Sequence, residues 1–364
     1  WEFKNGSTCY PTDSFGDCDL GFSFGNPLIA KLTDGTWAVF GTTGYNNASG
    51  VGALYVLDAI TGKILQKIST GVGSPASPSG LNKIAGWADD PLIDNVAQRI
   101  YGVDLLGNTW RFDVNDILGP AGRDAELLAT AKDPSGNPQP ITTKPELGLA
   151  GSPLTPTIYV ATGRYLGTSD LPAPPAVPQI QSVYAIKDTL SMTPIADLRA
   201  TLMENKITLA QFDPDFDPVT GTNGPLPPIT IRQSGCANNC SSTAGWFVDL
   251  PESGERANVD PKLQLGTLVV PTNVPENNSC SIGGHSWVNF FDYSNGLAVS
   301  SSPGASVGQQ LSSSLVVGIN VVRLPGGKTV VIATTSNAKQ TTVNAPFAAA
   351  GLSGKRVSWR ELVQ

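Results

Sequence analysis

The sequence predicts an all-β fold built from repeated antiparallel hairpins. Three observations carry this. Its apolar runs are short, rich in β-branched and aromatic residues, and bounded by turn residues. Gly and Pro number 39 and 29, an abundance that breaks helices and serves tight turns. A strand ending at an Asp, with a turn behind it, recurs along the chain.

The expected strands, in order, are WAVFGTTG (37–44), ALYVLDA (53–59), NTWRFDV (108–114), TIYVATG (157–163), SVYAIKD (182–188), GWFVDL (245–250), TLVVPT (267–272), SWVNFFDY (286–293), SLVVGINVVRL (314–324) and KTVVIATT (328–335). Alternation within them should bury Leu54, Val56, Trp110 and Phe112. One helix is expected over PIADLRATLMEN (194–205), where Ile195, Leu198, Leu202 and Met203 fall at helical spacing. LPAPPAVPQIQ (171–181) and DPDFDPVTGTNGPLPP (213–228) are too Pro-rich for central strands and are expected as rim loops.

The strand–Asp–turn unit appears in LYVLDAITGK (54–63), NTWRFDVND (108–116), GWFVDLPESGE (245–255) and WVNFFDYSNG (287–296). A single hairpin cannot bury both its faces, so such units must pack side by side. Their irregular spacing suggests the unequal blades of a β-propeller, with Asp58, Asp113 and Asp292 at strand ends. A pair of β-sandwiches would also bury hairpins of this kind.

Charged residues are only 15% of the chain, which excludes a disordered or coiled-coil protein. The net charge of −7 leaves no basic footprint for nucleic acid, and no apolar run reaches the length of a membrane-spanning helix. The chain starts at Trp1 without a signal peptide, as expected of a piece of a longer protein. Cys9 and Cys18 flank one short loop, Cys236 and Cys240 another, and Cys280 stands apart. All five lie in polar, turn-rich segments, which suits disulfides in an oxidising compartment, with Cys9–Cys18 and Cys236–Cys240 as the expected pairs. A bond from Cys236 or Cys240 to Cys280 is the rival pairing, and free thiols in the cytosol are the plain alternative. The single histidine and cysteine spacings that match no zinc module argue against a zinc site.

Several segments then resemble one family in colinear order: WEF (1–3), DLGFSFGNP (19–27), WAVFGTTGYNNASG (37–50), LYVLDAITGKIL (54–65), GVDLLGNTWRFDV (102–114), NPQPITTKPEL (137–147), ATGRYLG (161–167), GWFVDLPESGER (245–256), CSIGGHSW (280–287) and RVSWREL (356–362). On these the chain resembles the C-terminal region of PilY-type proteins, the group that includes the neisserial PilC adhesins. The resemblance implies one quinoprotein-dehydrogenase-like propeller over 1–364, with insertions near 4–18, 171–181 and 191–228. Blade-like sequence precedes WEF in the family, so this propeller is expected to be incomplete on its N-terminal side. The implied role is a tip-associated adhesin and assembly factor of type IV pili that supports extension against retraction. Its implied partners are pilus subunits (the minor pilins), the rest of its own chain, and host or surface ligands.

The resemblance also implies a calcium loop, placed here at DPLIDNVAQ (90–98). Ca²⁺ takes six to eight oxygens, usually from alternating acidic and amide side chains. Asp90 and Asp94 stand at the first and fifth positions, Val96 offers its carbonyl at the seventh, and Gln98 stands at the ninth, where a carboxylate is expected. Leu92 has no oxygen to offer at the third. The loop is therefore expected to bind calcium weakly or not at all, held instead by an Asx-type turn at Asp90 or Asp94 and by Ile93 or Val96 in the core. A register shift would bring in Asp89. The D-x-D-x-D cluster of Asp213, Asp215 and Asp217 lacks the Gly and closing Glu of an EF-hand loop and reads as a solvated turn.

An enzyme reading, a degenerate quinoprotein dehydrogenase, is the alternative. No phosphate-binding glycine loop or adjacent cysteine pair is present, and the lone His285 in GGHSW reads as a packing or hydrogen-bonding residue. Trp110, Trp246 and Trp287 read as core residues, and no Arg-Gly-Asp tripeptide points to an integrin.

Overall fold

In a computed structural model, residues 1–89, 93–118, 125–171, 176–212, 229–276, 283–311, 314–325 and 328–347 are described. They fall into two compact units. One comprises Trp1–Arg164 with Ile186–Thr201, the other Tyr165–Ala185 with the described residues from Leu202 onward.

In the first unit the period-two patterning produces two successive four-stranded antiparallel meanders. One is β1 (Leu28–Lys31), β2 (Trp37–Thr42), β3 (Val51–Asp58) and β4 (Ile64–Gly73). The next is β5 (Lys83–Trp87), β6 (Arg99–Val103), β7 (Asn108–Phe112) and β8 (Ala125–Thr130). Each is the blade that the repeat predicts. Ala30, Phe40, Leu54, Val56 and Ile68 on one sheet meet Ile84, Ile100, Trp110 and Phe112 on the other in one core. Burying a large side chain of this kind contributes about 1.5–3 kcal/mol. The opposite face of the first sheet, Tyr55, Leu57 and Ile64, is covered by Phe3, Tyr10 and Leu20 of the N-terminal segment. A hairpin of β9 (Glu146–Ala150) and β10 (Thr155–Ala161) follows.

After β11 (Ser182–Lys187), the structure departs from the expected helix over 194–205. Helix α1 is a single turn, Leu198–Thr201, capped by Asp197 Oδ1 accepting from the N–H groups of Arg199 and Ala200. Ile195 is taken by a bridge to Ala129, and strand β12 (Met203–Phe212) begins at once. So short a helix is marginal without tertiary support, and here pairing wins: Met203–Asn205 run parallel to Trp246–Val248.

In the second unit β12 forms a hairpin with β13 (Ile229–Asn238). β14 (Gly245–Asp249), β15 (Lys262–Gln264), β16 (Thr267–Pro275), β17 (Gly284–Asp292) and β18 (Ser306–Leu311) join them in the run of neighbours β15-β16-β17-β18-β13-β12-β14. A separate three-stranded sheet, β19 (Val316–Arg323), β20 (Thr329–Thr335) and β21 (Gln340–Val343), packs Ile319, Val331 and Val343 against Val269, Val288 and Phe290. RVSWREL (356–362), the 213–228 loop with its Asp cluster, and part of the 171–181 loop lie outside the described residues.

The recurrent Asp is a turn former. Asp58 and Asp292 close the same turn. Asp58 N–H donates to Lys63 O and Gly62 N–H to Asp58 O, both at 2.8 Å, and the Asp292–Leu297 and Gly296–Asp292 pairs repeat these bonds at 2.8 Å. Each carboxylate accepts the N–H two residues on, and Gly62 and Gly296 sit at φ 76° and 71°, where a Cβ would be strained. An indole docks on each turn. Trp1 Nε1 donates to Ala59 O and Trp246 Nε1 to Tyr293 O, both at 3.0 Å, and a Cβ on either glycine would stand 2.5 Å from the indole it meets. Asp113, just beyond β7, accepts from Asn115 N–H at 3.2 Å in the same role.

Candidate functional site

The loop expected to hold calcium is the connection between β5 and β6. Asp90 and Leu92 lie outside the described residues. Of the rest, Asp94 Oδ1 accepts from Val96 N–H at 3.0 Å, an Asx turn of the expected kind. Gln98 Oε1 accepts from Asp89 N–H at 2.8 Å. Of the two expected anchors, Ile93 is 81% exposed and Val96 is half-buried in a bridge to Lys31; the fully buried anchor is Ala97. Ala97 is fixed by backbone bonds. Its N–H donates to Lys31 O, Lys31 N–H donates to Asn95 O, and its carbonyl accepts from Asn115 Nδ2 at 2.6 Å. Isoleucine at 93 is thus turned out by the register that β1 imposes at 95–97.

Asp89, the acid a register shift would recruit, has a 62% exposed side chain that already holds two protein donors. Its Oδ1 accepts from Trp87 Nε1 at 2.7 Å and from Arg99 Nη2 at 3.0 Å. Among the described residues, no three acidic, His or Cys side chains gather here; the one such group is Cys9, Asp17 and Cys18. Among the described residues of the loop the donors are one carboxylate already in a turn, one neutral amide and carbonyls, fewer than the six to eight oxygens of a calcium shell.

The cysteines pair as expected, Cys9 with Cys18 and Cys236 with Cys240, with Cα separations of 4.6 and 5.9 Å. Cys280 lies outside the described residues. The first bridge belongs to a polar clamp that binds the N-terminal segment to the first sheet. Lys67 Nζ reaches Asp17 Oδ2 at 2.8 Å and Asp19 Oδ2 at 3.2 Å, and Tyr55 OH donates to Asp17 Oδ2 at 2.9 Å. Burial pushes the Asp17 carboxyl up. The bonds from Lys67, the Asp19 N–H and Tyr55, with the Lys67 charge, outweigh it and hold the group below its ordinary value. Burial, then the Asp17 charge, drives the Tyr55 hydroxyl far up.

A polar cluster that sequence reasoning missed lies in the second unit. Arg232, fully buried, makes a two-pronged bond to Glu255, Nη1 to Oε1 at 2.7 Å and Nη2 to Oε2 at 2.8 Å. Its guanidinium lies 3.8 Å from the Trp287 ring centroid and donates to Asn289 Oδ1 at 2.8 Å. Thr272 Oγ1 donates to Glu255, Trp287 Nε1 to Glu252 Oε1, and His285 Nε2 bonds Glu252 Oε2 at 2.6 Å. His285 is thus a hydrogen-bonding residue, as the sequence suggests. Glu255 is enclosed and saturated, so it offers no base to a substrate; the cluster ties β13, β16 and β17 to the 252–255 turn. GWFVDLPESGER holds both glutamates, but nothing local marks Arg232, 23 residues upstream of Glu255, as their partner.

A family model described as the PilY1 beta-propeller domain matches residues 13–193. A type IV pilus biogenesis factor PilY1 homolog of Xylella fastidiosa is 29% identical over 327 residues, covering 84% of this chain and 20% of that protein. Type IV pilus biogenesis factor PilY1 of Pseudomonas aeruginosa is 28% identical over 297 residues, covering 74% of this chain and 25% of its own length. The chain therefore spans about a fifth to a quarter of the length of these curated relatives. The crystal structure of the P. aeruginosa PilY1 C-terminal domain superposes with a TM-score of 0.68 at 24% identity, over 90% of this chain and 73% of that one, a likeness that shows the fold. Among the described residues no helix is long and apolar enough to cross a membrane. The blade meanders, the family match and the superposition agree: residues 13–193 match the PilY1 beta-propeller domain, and the chain is similar to PilY1-type proteins in sequence and in its β-propeller fold.

Proposed function

We propose that this chain is a non-catalytic binding propeller of a type IV pilus biogenesis factor, displayed outside the cytoplasm at the pilus tip or cell surface. Its partners are pilus subunits, the minor pilins foremost, and the rest of its own protein. Adhesion to a host or other surface is the second role. The observation that supports the reading best is the match to the PilY1 propeller, together with relatives named as type IV pilus biogenesis factors. Two disulfides suit an oxidising compartment. The most conspicuous charged groups, Arg111 with Asp188 and Arg232 with Glu255, are bonded to one another inside the sheets and serve the fold.

The test is genetic. The segment encoding this propeller is deleted in frame in the source bacterium, and surface pili, twitching and surface attachment are measured, with complementation by the wild-type segment. Loss of pili and twitching is expected. Removing the retraction motor in the same strain is expected to restore pili without restoring attachment. Normal piliation, twitching and attachment in the deletion strain would end the reading.

A further inference from the structure

The family resemblance implies a calcium loop between β5 and β6, and the residues present do not fit one. The geometry points to an internal cation instead: we infer that the guanidinium of Arg99 closes this loop by pairing with Asp89, so that the first unit keeps its fold without calcium.

Trp87 and Arg99 are directly opposed at the open end of the β5–β6 hairpin, where the connection leaves the sheet. Arg99 is 5% exposed, with its guanidinium 5.6 Å from the Trp87 ring centroid. From there Nη2 reaches Asp89 Oδ1 at 3.0 Å, and the same oxygen takes the Trp87 indole N–H at 2.7 Å. The backbone of Asp89 is tied as well, its N–H donating to Gln98 Oε1 at 2.8 Å, while Gln98 N–H donates to Trp87 O at 2.9 Å. Both ends of the connection are thereby joined through protein groups alone. Gln98 orients its amide oxygen to a backbone donor, a task a neutral amide performs without the dehydration cost of holding an ion. Asp94 spends Oδ1 on its own turn. A hard divalent cation needs several anionic oxygens facing one point. Among the described residues Asp89, 62% exposed, faces a permanent cation that cannot be deprotonated, and that like charge repels an incoming ion.

The inference is independent of the pilus reading, because its readouts are stability and metal binding of the chain itself. Thermal melting is run in excess EDTA and in excess CaCl₂, for wild type, Arg99→Ala, Asp89→Asn and the double variant. Wild type should melt at the same temperature in both buffers. Arg99→Ala should lower Tm by roughly 2–4 °C in both. Asp89→Asn keeps an acceptor for Trp87 while removing the charge, so it isolates the ion pair and guards against a general packing loss in Arg99→Ala. The double variant should lose less than the sum of the singles. Isothermal titration of wild type with CaCl₂ should give no one-site heat. Calcium raising the wild-type Tm, a one-site heat abolished by Asp94→Ala, an Arg99→Ala protein melting like wild type, or strictly additive single variants would each overturn it.

Discussion

The two tryptophan docks make the same contacts in different surroundings. Trp1 on the Asp58–Gly62 turn and Trp246 on the Asp292–Gly296 turn share the indole-to-carbonyl bond of 3.0 Å and the glycine beneath the ring. Trp246 is 1% exposed and packs on Phe291; Trp1 is 59% exposed. The turn dictates the geometry of docking, while burial decides what docking contributes to stability. Where burial is slight, the chain relies on other ties. The N-terminal segment has its own disulfide, the Lys67 clamp, and Phe3, Tyr10 and Leu20 on the outer face of the first sheet.

Breaking the buried dock should have the largest effect. Trp246→Ala is expected to cost about 3–5 kcal/mol in chemical denaturation, the range for removing a buried aromatic. Gly296→Ala should approach it, since a Cβ there meets the indole at 2.5 Å and demands a left-handed residue. Next comes the N-terminal disulfide: the Cys9→Ser/Cys18→Ser double variant should lose roughly 2–3 kcal/mol, by the entropy of a loop closed over a separation of nine residues. If the two docks were equivalent, Trp1→Ala would match Trp246→Ala. It should instead cost about 1 kcal/mol, the worth of one hydrogen bond with partial contact, and Gly62→Ala about 1–2 kcal/mol for its φ, because the indole there can swing into solvent.

The smallest effect is a pH dependence. The Asp17 carboxyl is held below its ordinary value when folded. The stability it contributes is therefore fully present above the unfolded value of about 3.9 and is lost as pH falls through the lower folded value. The stability gap between wild type and Asp17→Asn should thus be constant near neutrality and close below about pH 4. A gap unchanged down to pH 2 would mean that Asp17 is not the clamp's titrating member.

The parts of this fold legible in the sequence are those whose cause is local. Alternation in ALYVLDA and NTWRFDV gave strands with Leu54, Val56, Trp110 and Phe112 inside, and all four are buried. The Asp of each repeat was readable as a strand end, because an Asx turn needs only residues two to four further on. The tryptophans that dock on those turns were not readable, being 58 and 47 residues away. β12 and β13 escaped for a related reason. KITLAQF alternates weakly, and its partner TIRQSGC is polar, so both are strands through mutual pairing and not through propensity. The helix expected over 194–205 failed on the same competition. In the loop between β5 and β6 the sparse oxygen donors were visible at Leu92 and Gln98, but the pairing of Arg99 with Asp89 was not, since it exists only once Trp87 faces Arg99 across the hairpin.

The N-terminal bridge also sets how the chain answers a pull. Residues 10–17 lie between Cys9 and Cys18 and are shunted by the covalent bond, so tension passing along the backbone bypasses them. Extended, those residues would release roughly 25–30 Å of length. An oxidised molecule therefore cannot pay out that slack, and force arriving at the first residues reaches β1 and its sheet promptly. In single-molecule extension, reducing agent should lengthen the total unfolding contour by about that amount, while the shorter Cys236–Cys240 bridge adds roughly 10 Å. A reduced molecule would yield first at its edge and an oxidised one only with its sheet, which makes the compartment's redox state a setting of mechanical compliance.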